Sequence, residues 1–363
     1  TQVEIGSFHS FAVRVKKSGQ QSFLDLFDKG PAGLAPMAGF TTPAFRTLAA
    51  REGADFTVTE LVSAKGIRYD PSLKRSARYL QATGGDKPWA IQLFGQDPSD
   101  FAFAIDRLLS DPLYKQVDFI DLNMGCPAPK VTREGAGCAL MRDPSLAEAI
   151  VAASVEAAAP YAKPVTAKIR SGLSADSLNA LEMAKALEAG GASMVTVHAR
   201  TLDQYYRGQA DWQIIRQVKE ALTIPVFGNG DLAQPGDLER MKEATGCDGF
   251  MVGRAARGNP FIFRILAEDP ALYEGIRPED RLLVQVKTDE WLAAMIQELD
   301  MTIDLLGETV AVREMRSSFA FYLRAFPASP YYRARIMEPV DRAGVLEVLK
   351  EAADRREAAA LLY

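Results

Sequence analysis

Apolar residues recur along this chain in short blocks of strand length, separated by longer stretches with helical spacing. The blocks fall at residues 33–37, 55–59, 89–94, 117–123, 165–170, 193–198, 224–228 and 248–252. Between them lie segments rich in Ala, Leu, Glu, Lys and Arg, of which 177–189 and 212–221 carry the clearest helical spacing. Strands alternating with helices predict a parallel α/β fold. Eight is also the number that closes a (β/α)8 TIM barrel. An open doubly wound sheet is the competing arrangement, but it has no particular reason to stop at eight.

The pattern changes at both ends. Near the start, Phe11, Val13 and Val15 alternate with Ala12, Arg14 and Lys16, which predicts an edge strand or small hairpin within residues 1–20. Proline, glycine and charged residues cluster over 269–279, a linker signal. From 281 to 363 the spacing is helical, punctuated by Pro327, Pro330 and Pro339. The expected organisation is a barrel domain over 1–272 and a smaller all-helical C-terminal domain over 273–363.

The chain has 363 residues, 48% hydrophobic and 25% charged, which excludes a mainly disordered chain, a collagen-like repeat and a disulfide scaffold. No stretch approaches 18 uninterrupted apolar residues, so no membrane span is expected. The opening TQVEIGSFHS lacks a basic segment followed by an apolar one, and a cytoplasmic, monomeric protein is expected. Three cysteines (Cys126, Cys138, Cys247) and two histidines (His9, His198) are too few for a zinc or iron–sulfur site of the usual kind, so no metal is expected. The net charge of −5 provides no global attraction for a polyanion, and any nucleic-acid contact must rest on local basic charge.

In a barrel of this type the chemistry sits at the C-terminal strand ends. The fourth block ends Asp121-Leu122-Asn123-Met124-Gly125-Cys126-Pro127, with Asn123 on the face of Asp121 and Cys126 in the following turn. Cys126 is either a small loop thiol or a side chain projecting into the pocket; Cys138 and Cys247, among small or apolar neighbours, read as packing residues. The fifth block places Lys168 and Arg170 on one face. They are either snorkelling surface residues or the holders of a group that becomes negative. The sixth ends in His198, a core residue or a pocket residue, followed by Tyr205, Tyr206 and Arg207 in a loop that either stacks a planar ring or is a packed hinge. The last two end Gly228-Asn229-Gly230-Asp231 and Gly253-Arg254. Glycines there let backbone N–H groups approach a phosphate, in the loops where this fold seats one. Asp231 either caps a helix or contacts a polyol.

These segments, with Gly33-Leu34-Ala35-Pro36-Met37-Ala38-Gly39, Ile91-Gln92-Leu93-Phe94-Gly95 and His198-Ala199-Arg200-Thr201, resemble the flavin-dependent tRNA-dihydrouridine synthases in order through roughly residues 30–265. A helical C-terminal domain also belongs to that family's pattern. The resemblance implies an FMN across the barrel mouth and NADPH as reductant. Pro36, Met37 and Ala38 would back the isoalloxazine and Gln92 would bond its polar edge. Lys168 would lie by N1/O2, and His198 would touch the cofactor. Asn229, Gly230, Asp231, Gly253 and Arg254 would hold ribityl and phosphate. Asn123, Arg170 and Tyr206 would read the uracil edge. The implied reaction sends hydride from flavin N5 to uracil C6 and a proton from Cys126 to C5. A thiol of ordinary pKa, about 8.5, is mostly protonated at pH 7 and suits this role. The base, stacked within folded RNA, must be flipped out to reach the flavin.

Two segments carry local positive charge, each with a net +4. Residues 64–87 hold Lys65, Arg68, Lys74, Arg75, Arg78 and Lys87 against Asp70 and Asp86. Residues 311–335 hold Arg313, Arg316, Arg324, Arg333 and Arg335 against Glu314, interleaved with Phe319, Phe321, Tyr322, Phe326, Tyr331 and Tyr332. Arginine with aromatics suits phosphate contact and base stacking, although solvated helix faces over an aromatic core give the same pattern. Two other functions fit part of the pattern: an FMN barrel acting on a free pyrimidine, and a non-enzymatic RNA-binding barrel. Activity on free uracil against tRNA separates the first, and the colour of the purified protein the second.

Overall fold

The computed structural model describes residues 30–82, 88–277, 280–324 and 326–361. Eight strands form a closed parallel barrel in sequence order: β1 (Ala32–Leu34), β2 (Thr57–Ser63), β3 (Trp89–Phe94), β4 (Phe119–Met124), β5 (Val165–Arg170), β6 (Met194–His198), β7 (Val226–Asn229) and β8 (Gly249–Val252). β8 pairs back onto β1. The chain is therefore a TIM barrel followed by a helical C-terminal region. The edge strand expected within residues 1–20 lies outside the described residues.

All eight expected strands form, and β3 and β5 have the expected bounds. β1 stops at Leu34, short of residue 37, because Pro36 has no N–H to continue the ladder. The chain then turns, the Met37 carbonyl accepting from the N–H groups of Phe40 and Thr41 at 3.0 Å each. β2 instead runs on through Glu60 to Ser63, past a register irregularity between Val58 and Leu61. Within that extension the Glu60 carboxylate accepts from the Gly39 N–H at 2.6 Å.

The barrel helices begin where a capping residue precedes the first turn. α1 (Pro43–Arg51), α2 (Pro98–Leu109) and α3 (Pro144–Ala158) each start with proline after a capping Thr42, Asp97 or Asp143. The cap oxygen accepts a backbone N–H, and proline fills a position that has none to lose. α4 (Ala180–Ala189) starts later than residue 177, because Gly172 bridges Leu178 and Ser171 O accepts from Asn179 and Ala180. α5 (Trp212–Ala221) and α6 (Asp237–Thr245) complete the ring.

Strand alternation sorts the core into two parts. Ile91, Leu93, Ile120, Leu122, Val195 and Val197, all fully buried, point outward to the helices. Ala35, Phe56, Val58, Ala90, Phe119, Met194, Phe227 and Met251 form a separate plug inside the barrel. The Phe56 ring sits 6.0 Å from that of Phe119 and 5.8 Å from that of Phe227. Gly33 is required beside it, since a Cβ there would lie 2.2 Å from the Phe56 ring.

Beyond β8 the longer elements are α7 (Thr288–Leu306), α8 (Glu308–Tyr322) and α9 (Arg342–Ala360). α7 lies against α1, where Arg264 reaches both Glu52 (3.3 Å) and Glu290 (2.7 Å). Arg356 of α9 is buried, donating to Thr288 Oγ1 and to the carbonyls of Leu282 and Val286. Phe319, Tyr322, Phe326 and Tyr332 are buried, so much of the aromatic content of 311–335 is core. Within 269–279, Pro270–Tyr273 is a 3-10 turn with Tyr273 buried. Among the described residues no helix is long and apolar enough to cross a membrane.

Candidate active site

Above the aromatic plug the inward positions turn polar, and Gln92, Asp121, Asn123, Thr166, Lys168 and Asn229 are bonded to one another across the strands. Gln92 and Asp121 are in register, and the Gln92 amide donates to Asp121 Oδ2 at 2.7 Å. Thr166 donates to Asp121 Oδ1 at 2.6 Å, and Asn123 Nδ2 to Gln92 Oε1 at 2.8 Å. Asn123 Oδ1 then accepts from the backbone N–H groups of Gly125 (3.2 Å) and Cys126 (2.9 Å). The turn bearing Cys126 is thus bracketed by the side chain of the strand that feeds it. The Cys126 carbonyl accepts from the Cys138 N–H at 3.0 Å. Cys126 itself is half-buried, while Cys138 and Cys247 are buried. Burial pushes the Cys138 thiol up to about 12, so it stays protonated at neutral pH.

The floor is cationic. Lys168 Nζ donates to Asn229 Oδ1 at 2.8 Å, and Asn229 Nδ2 to the Met251 carbonyl at 2.7 Å. Burial, helped by Arg170, lowers the Lys168 pKa to about 7, against the pull of Asp121. Burial likewise raises the Asp121 pKa, opposed by its bonds from Thr166 and Gln92 and by Lys168. His198 is held well below the usual histidine range, first by burial and then by Lys168, Arg170, Arg200 and Arg254, which keeps it neutral at pH 7. Arg170 spans two loops, donating to the carbonyls of Gly125 (2.9 Å), Thr201 (2.8 Å) and Tyr205 (3.0 Å).

Over this floor the exposed ring of Tyr206 lies 5.7 Å from the Arg170 guanidinium, 5.1 Å from that of Arg254 and 6.4 Å from the His198 ring. Asp231, at a positive φ of 58°, is the shared counter-charge. It accepts from Arg200 at 2.7 Å and from Arg254 at 3.0 Å. Gly230 has a φ of 132°, and a Cβ there would meet Ala210 at 2.8 Å. Gly253, Pro36 and Met37 are half-buried and Ala38 is exposed at the same end of the barrel.

A cleft of about 620 Å³ runs from Ala38, Gly39 and Cys126 across to Glu298, Ser318 and Arg313 of the helical region. The two basic segments meet along it, where Arg78 forms an ion pair with Glu314. Of the residues expected to contact RNA, Lys65, Lys74, Arg75 and Arg313 are exposed. Arg68 is paired with Asp100 and Arg335 with Glu351, while Arg316 donates to the Pro339 carbonyl at 3.0 Å. Arg324 stacks on Phe321 at 3.8 Å, and Arg333 is half-buried. Lys87 lies outside the described residues.

Two residues of the site were not singled out by sequence patterns. Arg200 is 2% exposed, and its Nη1 has no hydrogen-bond partner. Its position two residues after His198 was the available signal. Glu60, which ties the first loop through Gly39, lies one residue beyond the expected end of the second block. No group of three or more His, Cys, Asp or Glu able to hold a metal occurs among the described residues.

A closed β/α barrel whose C-terminal mouth joins a thiol, a neutral histidine and a cationic floor defines a barrel enzyme with its site at the strand ends. The Dihydrouridine synthase (Dus) family model matches residues 33–358. The chain is 35% identical over 337 residues to "Probable tRNA-dihydrouridine synthase" of Aquifex aeolicus (strain VF5), covering 93% of this chain and 99% of that protein. It is 38% identical over 302 residues to tRNA-dihydrouridine synthase B of Pseudomonas aeruginosa, covering 83% and 86% respectively. The chain belongs to the dihydrouridine synthase family.

Proposed function

We propose that this protein reduces the C5=C6 bond of uridine in tRNA to 5,6-dihydrouridine, with FMN as cofactor and NADPH as the source of electrons. The observation that carries the reading is the placement of Cys126 on a turn bracketed by Asn123, at the edge of the cleft leading to the basic helical region.

The residues present suit an anionic, phosphorylated cofactor. Lys168, Arg170, Arg200 and Arg254 converge on the mouth with Asp231 and the buried Asp121 as nearby carboxylates, and Arg200 Nη1 is left without a partner. Buried donors without acceptors favour a ligand that supplies them. Pro36, Met37 and Ala38 would back the flavin, with Gln92, Lys168 and His198 facing its polar edge. Asn229, Gly230, Asp231, Gly253 and Arg254 would hold ribityl and phosphate. When bound, FMN supplies the hydride delivered to uracil C6.

The protein's own part is orientation and proton supply. Lys168, near its protonation midpoint at neutral pH, gains a proton readily when negative charge develops beside it. Neutral His198 adds no charge to this crowded cationic floor. Arg170 and Tyr206 form a planar shelf at the mouth for the uracil, and Asn123 holds the turn that presents Cys126. Cys126 delivers a proton to C5 as C6 receives hydride, so the double bond takes up one hydride and one proton. The flipped base enters through the cleft, with the basic residues of both segments on the RNA backbone.

The test is direct. Purified protein should carry FMN, identified by its absorbance and by mass spectrometry of the released cofactor. With NADPH it should form dihydrouridine in unmodified tRNA and none in free uracil. A protein that neither retains nor takes up FMN, or that reduces free uracil as readily as tRNA, would overturn the reading.

A further inference from the structure

Arg257 follows the 3-10 turn Arg254–Ala256 after β8 and is absent from the site residues considered so far. Its guanidinium lies 4.4 Å from the centre of the Phe321 ring and 5.4 Å from that of Phe40, and these two rings meet edge to face at 4.9 Å. Arg324 covers the same Phe321 ring at 3.8 Å. Phe40 belongs to the loop after β1 and Phe321 to α8, so the stack lies across the seam between barrel mouth and helical region. Arg257, Arg324 and Arg333 form no ion pair among the described residues. The charged neighbours that act on Arg257 are Arg324 and Arg254, and the one that acts on Arg324 is Arg333. The Nε atoms of Arg257 and Arg333 are buried and have no hydrogen-bond partner.

Guanidiniums gathered with no carboxylate repel one another, and aromatic faces offset only part of that. Such a cluster is complete when an anion with several acceptor oxygens enters it. The neighbouring set Arg170–Tyr206–Arg254 leads from the pocket floor to the same seam. A uridine entering the pocket carries a phosphodiester on each side, and these must stay at the mouth while the base goes in.

We infer that Arg257 and Arg324, seated on the Phe40–Phe321 pair, with Arg333 beside Arg324, clamp one RNA phosphodiester flanking the uridine that enters the pocket. This rests on the proposed activity for the identity of the nucleotide, but its readout is RNA binding.

The test uses full-length, FMN-loaded protein. Arg257→Met keeps the aliphatic stem on the phenyl rings and removes the charge. It should weaken tRNA binding about tenfold and lower the log–log salt slope by about 0.7–0.9. FMN content and the rate of flavin bleaching by NADPH should not change. Arg324→Met, at an exposed position, should repeat the effect and keeps the test open if Arg257→Met melts early. Arg257→Lys should restore part of the slope. Unchanged tRNA affinity and slope in folded Arg257→Met would overturn the clamp. So would loss of FMN, or a raised KM for NADPH with normal tRNA binding, either of which assigns the cluster to a cofactor phosphate. If the parent protein binds tRNA with an Arg257-dependent slope but makes no dihydrouridine, the clamp stands and the proposed activity falls.

Discussion

The two halves of the barrel interior are built from the same strands by the same alternation, yet they obey opposite rules. Toward the N-terminal ends, Phe56, Phe119, Met194, Phe227 and Met251 fill the space with apolar side chains. Burying each stabilises the fold by about 1.5–3 kcal/mol. Toward the C-terminal ends, Gln92, Asp121, Thr166, Lys168, His198 and Asn229 take the equivalent inward positions. There most groups are bonded across the strands, and burial still moves Lys168, Asp121 and His198 away from their ordinary protonation behaviour. The lower half holds the barrel closed while the upper half tolerates costs that only a ligand relieves.

The largest effect should come from breaking the lower half. Phe227→Ala removes a fully buried ring and should cost about 3–5 kcal/mol in urea unfolding. A loss under about 1 kcal/mol would mean that the plug collapses without strain and is not what holds the barrel.

In the upper half, Asn123→Ala should cost about 1–3 kcal/mol, because the N–H groups of Gly125 and Cys126 and the Gln92 carbonyl lose their partner. Dihydrouridine formation should fall in parallel as the turn loosens. Full activity in this variant would show that the Cys126 turn is held by other contacts.

Lys168→Met should give the smallest effect, of the opposite sign. The folded lysine has a pKa of about 7 against 10.5 when unfolded, so between these values the unfolded chain binds more protons and stability rises with pH. FMN-free parent protein should therefore gain stability from pH 7 to pH 9, and Lys168→Met should flatten that rise. The variant should melt higher than the parent at pH 7 and retain FMN less well. A variant that melts lower at pH 7 would mean that the bond to Asn229 outweighs the burial cost.

This contrast also explains what could be read in advance. The strands were legible as short apolar blocks recurring between helical stretches, and the errors fell at the block ends, where chemistry decides the boundary. Pro36 cut β1 short, and β2 ran on past residue 59 to Ser63 across a register irregularity. Lys168, Arg170 and His198 were legible as strand-end residues on one face. Their partners were not, because register across strands decides them: Asn229 receives Lys168, and Asp231 is shared by Arg200 and Arg254. Net charge over a sequence window failed for the same reason. Arg68 is paired with Asp100, outside the window that was counted, and Arg78 with Glu314 in the other segment. Arg257 was invisible because its aromatic partners, Phe40 and Phe321, come from opposite ends of the chain.

The central claim is that Cys126, presented by the Asn123-bracketed turn, supplies the proton that completes uridine reduction. FMN-loaded Cys126→Ala, reduced by NADPH and mixed with unmodified tRNA, tests it by single-turnover quantification of dihydrouridine. The account predicts normal flavin reduction, normal tRNA affinity and a product rate lowered about 10²–10⁴-fold, while Cys138→Ala keeps the parent rate. A Cys126→Ala protein that forms dihydrouridine at the parent rate would contradict it.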